Sequence, residues 1–401
     1  MGALSATDTA PLLAAAGRAA DALVARAIGA GGRTTWLGAV LGAPGEYRTG
    51  DPTLYDGSAG IALAAWPVAA ALGRDDLADL ALGAARHAVA SQDGLGCGLF
   101  DGRAGVGLAA LELGAQAGDA RLRADGLATL RRVAGAAVGD ADLIGGSAGI
   151  VLALLAAWRR TGDARLCEAA VRHGEHLLAA AERLPWGWSW PPGLCGLAHG
   201  AAGVAWALGE LAAATGDDRF PAGVDGARRF ERSWFQPAEN GWPDLRPETS
   251  PPGGPLVCPA LWCHGATGIG LARLALFDLA PHPALAGEAA AALQAATAAA
   301  TLALRHPAPD GLTLCHGLGG TVLLLLAAHR TLGEPEHLDA ARWVAARALD
   351  RLGPDPAVWP SGVPGGGFSP GLMTGLAGVM YALTRAADPD AVAALGVLGD
   401  R

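Results

Sequence analysis

Seven short segments of this chain share one pattern, and that repetition constrains the fold more than any other property of the sequence. Aligned on a central glycine they read LYDGSAG (54–60), LFDGRAG (99–105), LIGGSAG (143–149), LAHGAAG (197–203), WCHGATG (262–268), LCHGLGG (314–320) and LMTGLAG (372–378). Their central glycines lie 45, 44, 54, 65, 52 and 58 residues apart. Self-similarity at such a period marks a repeat architecture, in which each unit buries its apolar face against its neighbours. It overrides the two or three domains that 401 residues would otherwise suggest, so residues 1–401 are expected to form one domain.

The stretch after each glycine segment is regular too. GIALAAWPVAAALG, GVGLAALELGAQAG, GIVLALLAAWRRTG, GVAWALGELAAATG and GTVLLLLAAHRTLG each close on a glycine thirteen positions after the first. Such stretches predict short helices ended by a glycine in the left-handed conformation, and helices apolar nearly all round must be buried. A second, amphipathic stretch comes next, as in DARLRADGLATLRRVA and DARLCEAAVRHGEHLLAAAE, opening with acidic residues that suit a helix N-terminus. A unit is therefore one buried helix plus one half-exposed helix. An open stack of such units needs polar end caps. Here the first and last units are as apolar as the middle ones, so the expected fold is all-α, a closed α/α toroid with the glycine segments along one rim.

Composition narrows the partners. Half of the chain is apolar (51%), and the net charge of -9 with no strip of arginines argues against nucleic acid or an anionic membrane. Six cysteines in a chain of this length do not make a disulfide framework. The first seventeen residues hold Asp8 and no basic residue, so no signal peptide is expected, and the alanine-rich run near 289–304 falls short of a membrane span. A cytoplasmic protein is the expectation. The chain has no lysine, which rules out a phosphate-binding loop that ends in one.

The two positions before the central glycine carry the chemistry. They read Tyr55-Asp56, Phe100-Asp101, Ile144-Gly145, Ala198-His199, Cys263-His264, Cys315-His316 and Met373-Thr374. Taken one at a time, buried cysteines and core histidines are ordinary. In register within a ring, Cys263, Cys315 and one adjacent histidine can meet at a single ion. Two thiolates and an imidazole leave a fourth tetrahedral position open, as a catalytic zinc requires.

The segments WCHGATGIGLAR, LCHGLGG, GLAHGAAGVA, DLIGGSAGI and PGLMTGLAGV resemble those of the lanthionine cyclases, the lanthionine synthetase C-like family, over nearly the whole chain. The resemblance implies an α/α toroid with zinc in a central cavity. It also implies an enzyme that adds a peptide cysteine thiol to dehydroalanine or dehydrobutyrine, forming a thioether ring. Carried over, the zinc ligands are Cys263, Cys315 and His316. Asp142 matches the aspartate of the family's D-x-I-x-G-x-x-G step and His199 the histidine of its H-G-x-x-G step, both catalytic or site-organising. The substrate would be a dehydrated precursor peptide, supplied by a separate dehydratase.

General chemistry points the same way. A thiol with a pKa near 8.5 is a poor nucleophile until a cation makes it a thiolate. Addition to the β-carbon creates an enolate that must be protonated, and His199 is the candidate acid, with Asp142 orienting it or holding substrate amides. Two departures from the family pattern stand out. His264 occupies a position where some members have tyrosine, and it either shares acid–base work or closes the wall. VCPALWC lacks the arginine that some members carry just before the tryptophan–cysteine pair. The first repeat begins at residue 54, so the dehydratase region of the fused synthetases is not expected in front of it. LPWGWSWPPG (184–193) and the stretch 234–259 read as long loops near the rim, their tryptophans either peptide contacts or loop anchors. Three rival readings remain: addition of glutathione in place of a peptide thiol, a zinc-dependent protein prenyltransferase, and a peptide-binding scaffold without catalysis.

Overall fold

The computed structural model describes residues 9–137, 139–306 and 311–399. After α1 (Ala10–Ala25) the chain forms two small hairpins, β1 (Ile28–Ala30) with β2 (Arg33–Thr35) and β3 (Leu37–Ala39) with β4 (Tyr47–Thr49). Helices then come in pairs: α2 (Ser58–Leu72) and α3 (Asp75–Ala90), α4 (Arg103–Gln116) and α5 (Ala120–Ala134), α6 (Ser147–Thr161) and α7 (Ala164–Ala180). A third hairpin, β5 (Glu182–Leu184) with β6 (Gly187–Ser189), precedes α8 (Ala201–Thr215) and α9 (Arg219–Trp234). The last helices are α10 (Ala266–Leu279), α11 (Pro283–Ala303), α12 (Leu318–Leu332), α13 (Pro335–Leu352) and α14 (Leu376–Ala387).

Every even-numbered helix starts directly after the central glycine of a repeat and is buried on all sides, as expected of its apolar circumference. These seven helices form an inner ring: each packs on the next, and α14 packs on α2. The odd-numbered helices form the outer layer, each against the inner helix before it. The expected closing glycines are left-handed, with φ of 63° at Gly73, 71° at Gly162, 68° at Gly216 and 74° at Gly333. Asp119 and Asp163 cap α5 and α7 by accepting from Leu122 N and Arg165 N. Among the described residues no outer helix comes after α14. α1 fills that place, so the two ends of the chain complete one unit and close the ring.

The rim has its own closure. Tyr55 N donates to Phe100 O, Phe100 N to Ile144 O, Leu143 N to Ala198 O, Ala198 N to Cys263 O, Trp262 N to Cys315 O, Cys315 N to Met373 O and Met373 N to Tyr55 O, at 2.8–3.2 Å. The glycines make this approach possible. A Cβ on the last glycine of any repeat segment would collide with the carbonyl oxygen of that segment's leading residue. It would also come within 2.6–3.4 Å of the leading residue of the preceding segment. Backbone proximity thus keeps the repeats in register, and Gly60 meets Leu372 as Gly105 meets Leu54.

The two loop readings separate. Trp190 is buried and donates to Leu177 O, and Trp188 lies against Gly226 of α9, so both anchor the β5–β6 hairpin and neither lines the cavity. Trp242 is buried edge-on to Phe235. No helix among the described residues is long and apolar enough to cross a membrane.

Candidate metal and acid–base site

A cavity of about 480 Å³ opens at the glycine rim. The rim bonds bring the polar positions of the repeats to its wall, and the first two hairpins lean over it through Trp36, Val40 and Arg48. Cys263, Cys315 and His316 come together with their ligand atoms within 4.8 Å of one another. Cys315 Sγ and His316 Nε2 are 3.6 Å apart. A tetrahedral zinc with Zn–S of about 2.3 Å and Zn–N of about 2.0–2.1 Å separates its S and N donors by about 3.6 Å. The donor set therefore fits such an ion. His316 Nδ1 lies 3.2 Å from Gly362 O, an acceptor only, so that nitrogen carries a proton and Nε2 is the one that faces the thiols, where the contact with Cys263 raises the His316 pKa.

The two sulfurs are not equivalent. The hydrogen bond with Cys315, seconded by His316, holds Cys263 well below the ordinary thiol range. Burial and the Cys263 charge push Cys315 well up. Cys263 and His316 face the cavity, whereas Cys315 is buried behind them and accepts a hydrogen bond from Tyr55 Oη at 3.0 Å. A cation between the sulfurs stabilises both as thiolates.

The same cavity holds a histidine–carboxylate pair. His199 Nδ1 is 2.6 Å from Asp142 Oδ2, while Asp142 Oδ1 accepts from Gly145 N and Gly146 N at 2.9 Å each. The turn of the third repeat thus fixes the carboxylate, and the carboxylate fixes the imidazole. The hydrogen bond to Asp142 raises the His199 pKa. Burial is the largest single influence on Asp142 and raises its pKa, but the hydrogen bond and charge of His199 together with the N–H bonds of Gly145 and Gly146 outweigh it, and the net direction is down. His199 therefore keeps its proton to higher pH than a free imidazole.

His264 is not among the clustered donors. Its ring stacks on His199 with centroids 6.0 Å apart, and burial lowers its pKa. Its buried Nδ1 has no hydrogen-bond partner among the described residues and lies 3.9 Å from Asp244 Oδ1. Spacing in the sequence leaves the third ligand open between the two histidines; the structure groups His316 with the thiols and turns His264 toward His199.

Four cavity residues went unassigned in the sequence. Tyr55 and Asp56 occupy the same two repeat positions as Cys315 and His316, so register alone could have found them. Asp56 accepts from Thr374 N and Thr374 Oγ1, and burial pushes its carboxyl up to about 6. Asp101 also lines the wall, raised by burial and by Asp142. Arg246 enters from the loop after α9, held by Asp244 Oδ2 at 2.6 Å. VCPALWC has no arginine, yet a guanidinium reaches the cavity from eleven residues before that segment, where no motif announces it.

Comparison with solved structures gives the same architecture. Nisin cyclase matches with a TM-score of 0.66 at 17% identity, covering 88% of this chain and 92% of that one. An α-1,6-mannanase from Salegentibacter sp. matches at 0.49 and 10% identity, covering 94% and 99% of the two chains. An α-mannanase from Bacteroides thetaiotaomicron matches at 0.49 and 10%, covering 96% of each. At 17% identity the nisin cyclase match speaks for the fold alone. The sequence pattern of the family described as lanthionine synthetase C-like protein matches residues 48–398, a span that takes in all seven glycine segments and both Cys-His-Gly steps. The chain belongs to the lanthionine synthetase C-like family.

Proposed function

We propose that this protein is a zinc-dependent cyclase that adds cysteine thiols of a dehydrated peptide to dehydroalanine or dehydrobutyrine, forming lanthionine or methyllanthionine. The observation that carries this reading is the convergence of Cys263, Cys315 and His316 in one cavity with the His199–Asp142 pair. Zinc, held by those three donors, would supply the charge that turns an incoming thiol into a thiolate near neutral pH.

The remaining work falls to the chain. As the sulfur bonds to the β-carbon, the alkene π pair moves to the α-carbon and its carbonyl. His199, protonated and oriented by Asp142 through Nδ1, delivers a proton to the α-carbon from Nε2. The proton lost by the thiol restores His199 through solvent, so the addition is mass-neutral. Arg246, held by Asp244, offers N–H donors to the carbonyl on which negative charge develops. The apolar wall and overhanging hairpins limit water around the enolate. Dehydration of serine and threonine belongs to a separate enzyme, because this chain has no lysine for a phosphate loop.

The test is a peptide bearing one dehydroalanine and one cysteine, incubated with the zinc-loaded protein. Free thiol should disappear faster than in the uncatalysed reaction, at constant mass. The unmodified serine–cysteine peptide should not react with or without ATP. With glutathione present, a mass gain of one glutathione would replace the ring-forming reading by intermolecular addition. An isoprenoid gain from a prenyl diphosphate would replace it by prenyl transfer. No acceleration at full zinc occupancy would leave a scaffold.

A further inference from the structure

The two thiols of the metal cluster differ in one respect that the proposed chemistry does not use. Cys315 Sγ accepts a hydrogen bond from a phenol, Tyr55 Oη, at 3.0 Å. Cys263 Sγ instead faces a backbone oxygen, that of Cys315, at 3.9 Å. A donor on one sulfur withdraws electron density from it; an oxygen acceptor on the other does not. We propose that Tyr55 is a positioning residue for the metal centre, fixing the Cys315 side chain and limiting the charge its sulfur gives to the ion. The inference rests on the metal-binding reading above.

The placement of Tyr55 is built by the ring. Its backbone is held on both sides, N–H to Phe100 O at 2.8 Å and C=O from Met373 N at 2.9 Å. The Cys315 backbone joins the same chain of bonds, with its N–H on Met373 O at 2.9 Å. Repeats one and six are thus linked through repeat seven, and the Tyr55 side chain spans that seventh unit to reach the sulfur. Its ring is set edge-on against Phe100 with centroids 6.3 Å apart, and Phe100 is edge-on to Trp262 at 5.2 Å. Trp262 directly precedes Cys263 and is itself pinned by its indole N–H on Leu398 O at 3.0 Å. An aromatic row therefore connects the hydroxyl on one ligand to the backbone of the other.

The chemical need is clear. Two protein thiolates and a substrate thiolate on one divalent ion make a site of net negative charge. Strong donation from all three keeps the substrate sulfur reactive but loosens it from the ion. A neutral O–H donor on the most buried sulfur reduces that excess without blocking a coordination position, and outer partners of metal ligands act in this way.

The test uses the full chain loaded with cobalt(II) in place of zinc. Tyr55→Phe removes one oxygen and keeps the ring against Phe100. The sulfur-to-cobalt charge-transfer band should move to longer wavelength, and zinc affinity, measured by chelator competition, should fall by about 10-fold. A second measurement removes no atoms: growth on 3-fluorotyrosine labels the 3 tyrosines of the chain and makes each hydroxyl a stronger donor. That label should move the band to shorter wavelength in the wild type and leave it in place in Tyr55→Phe. A band unmoved by both changes overturns the proposal, as does a label effect that persists without Tyr55. If the wild type binds no cobalt at all, the metal reading has failed and not merely this extension of it.

Discussion

Replacing Gly268 with alanine tests whether the glycine repeat exists for backbone proximity and whether that proximity sets the metal site. Gly268 lies in the first turn of α10, so alanine is favourable there by intrinsic helix preference. The ring says the opposite. The new Cβ would stand 2.6 Å from Leu197 Cβ, about 0.8 Å inside the 3.4 Å at which ordinary contact begins, and closer still to the Trp262 carbonyl oxygen. Neither neighbour is the loose end of a side chain. Relief requires α10 to withdraw from the preceding repeat, straining the Ala198 N to Cys263 O bond at 3.1 Å. Overpacking of this kind costs about 3 kcal/mol, and the rim bond about 1 more. Gly287→Ala is the control: it sits in α11 with nothing within 4 Å of its would-be Cβ, and gains about 0.5–1 kcal/mol. Urea unfolding of metal-free protein, monitored by circular dichroism, should separate the two variants by about 4.5–5 kcal/mol. Because the Trp262 carbonyl belongs to the peptide that leads into Cys263, Gly268→Ala should also weaken zinc binding by about 10-fold or more. A Gly268→Ala protein within about 1 kcal/mol of wild type would show that the repeat glycines are not there to let the units touch.

The remaining predictions bear on the site. Cys315→Ala should lose most of its zinc in metal analysis and all cyclisation, whereas Cys97→Ala and Cys167→Ala should lose neither; full zinc occupancy in Cys315→Ala would refute the ligand set. His199→Asn should keep zinc and fold yet process the dehydrated peptide about 10²-fold more slowly, as expected for loss of a general acid. The pH profile gives the sign: His199 has a raised pKa, so the acid form is lost, and kcat falls, only as pH rises through that raised value. Asp142→Asn keeps the bonds to Gly145 N and Gly146 N through its amide oxygen but removes the negative charge. It should move the fall in kcat to lower pH, and an unmoved limb would assign the proton to another group.

Much of this was legible because the information is local and repeated. A glycine segment, an apolar stretch and, in five of the seven repeats, a closing glycine state helix start, burial and helix end together, and this repetition leaves few ways to pack. The thiols were legible for the same reason: Cys263 and Cys315 hold identical positions in neighbouring units. The choice between His264 and His316 was not, since each comes directly after a cysteine and only the resemblance favoured one. The difference lies in what each ring meets, the Gly362 carbonyl for His316 and the His199 ring for His264. Closure of the outer layer by α1 was equally hidden, because its partner α14 is at the far end of the chain. Arg246 lies in the longest interval between repeats, where no period constrains the chain, and its place depends on Asp244.

The ring also explains how one cavity can hold opposing electrostatics. Each repeat delivers two side chains to the rim, and successive units are tied by a backbone bond, so a change in one pair leaves its neighbours in place. Repeats five and six bring two thiols and an imidazole together. Repeats three and four put a carboxylate behind an imidazole. His264, whose ring stacks on that of His199, occupies the wall next to Cys263 as a buried imidazole whose pKa burial lowers. On the proposed reading only two residues of a peptide, a thiol and an alkene, must enter that cavity, beneath hairpins whose Leu37, Leu41 and Tyr47 are exposed.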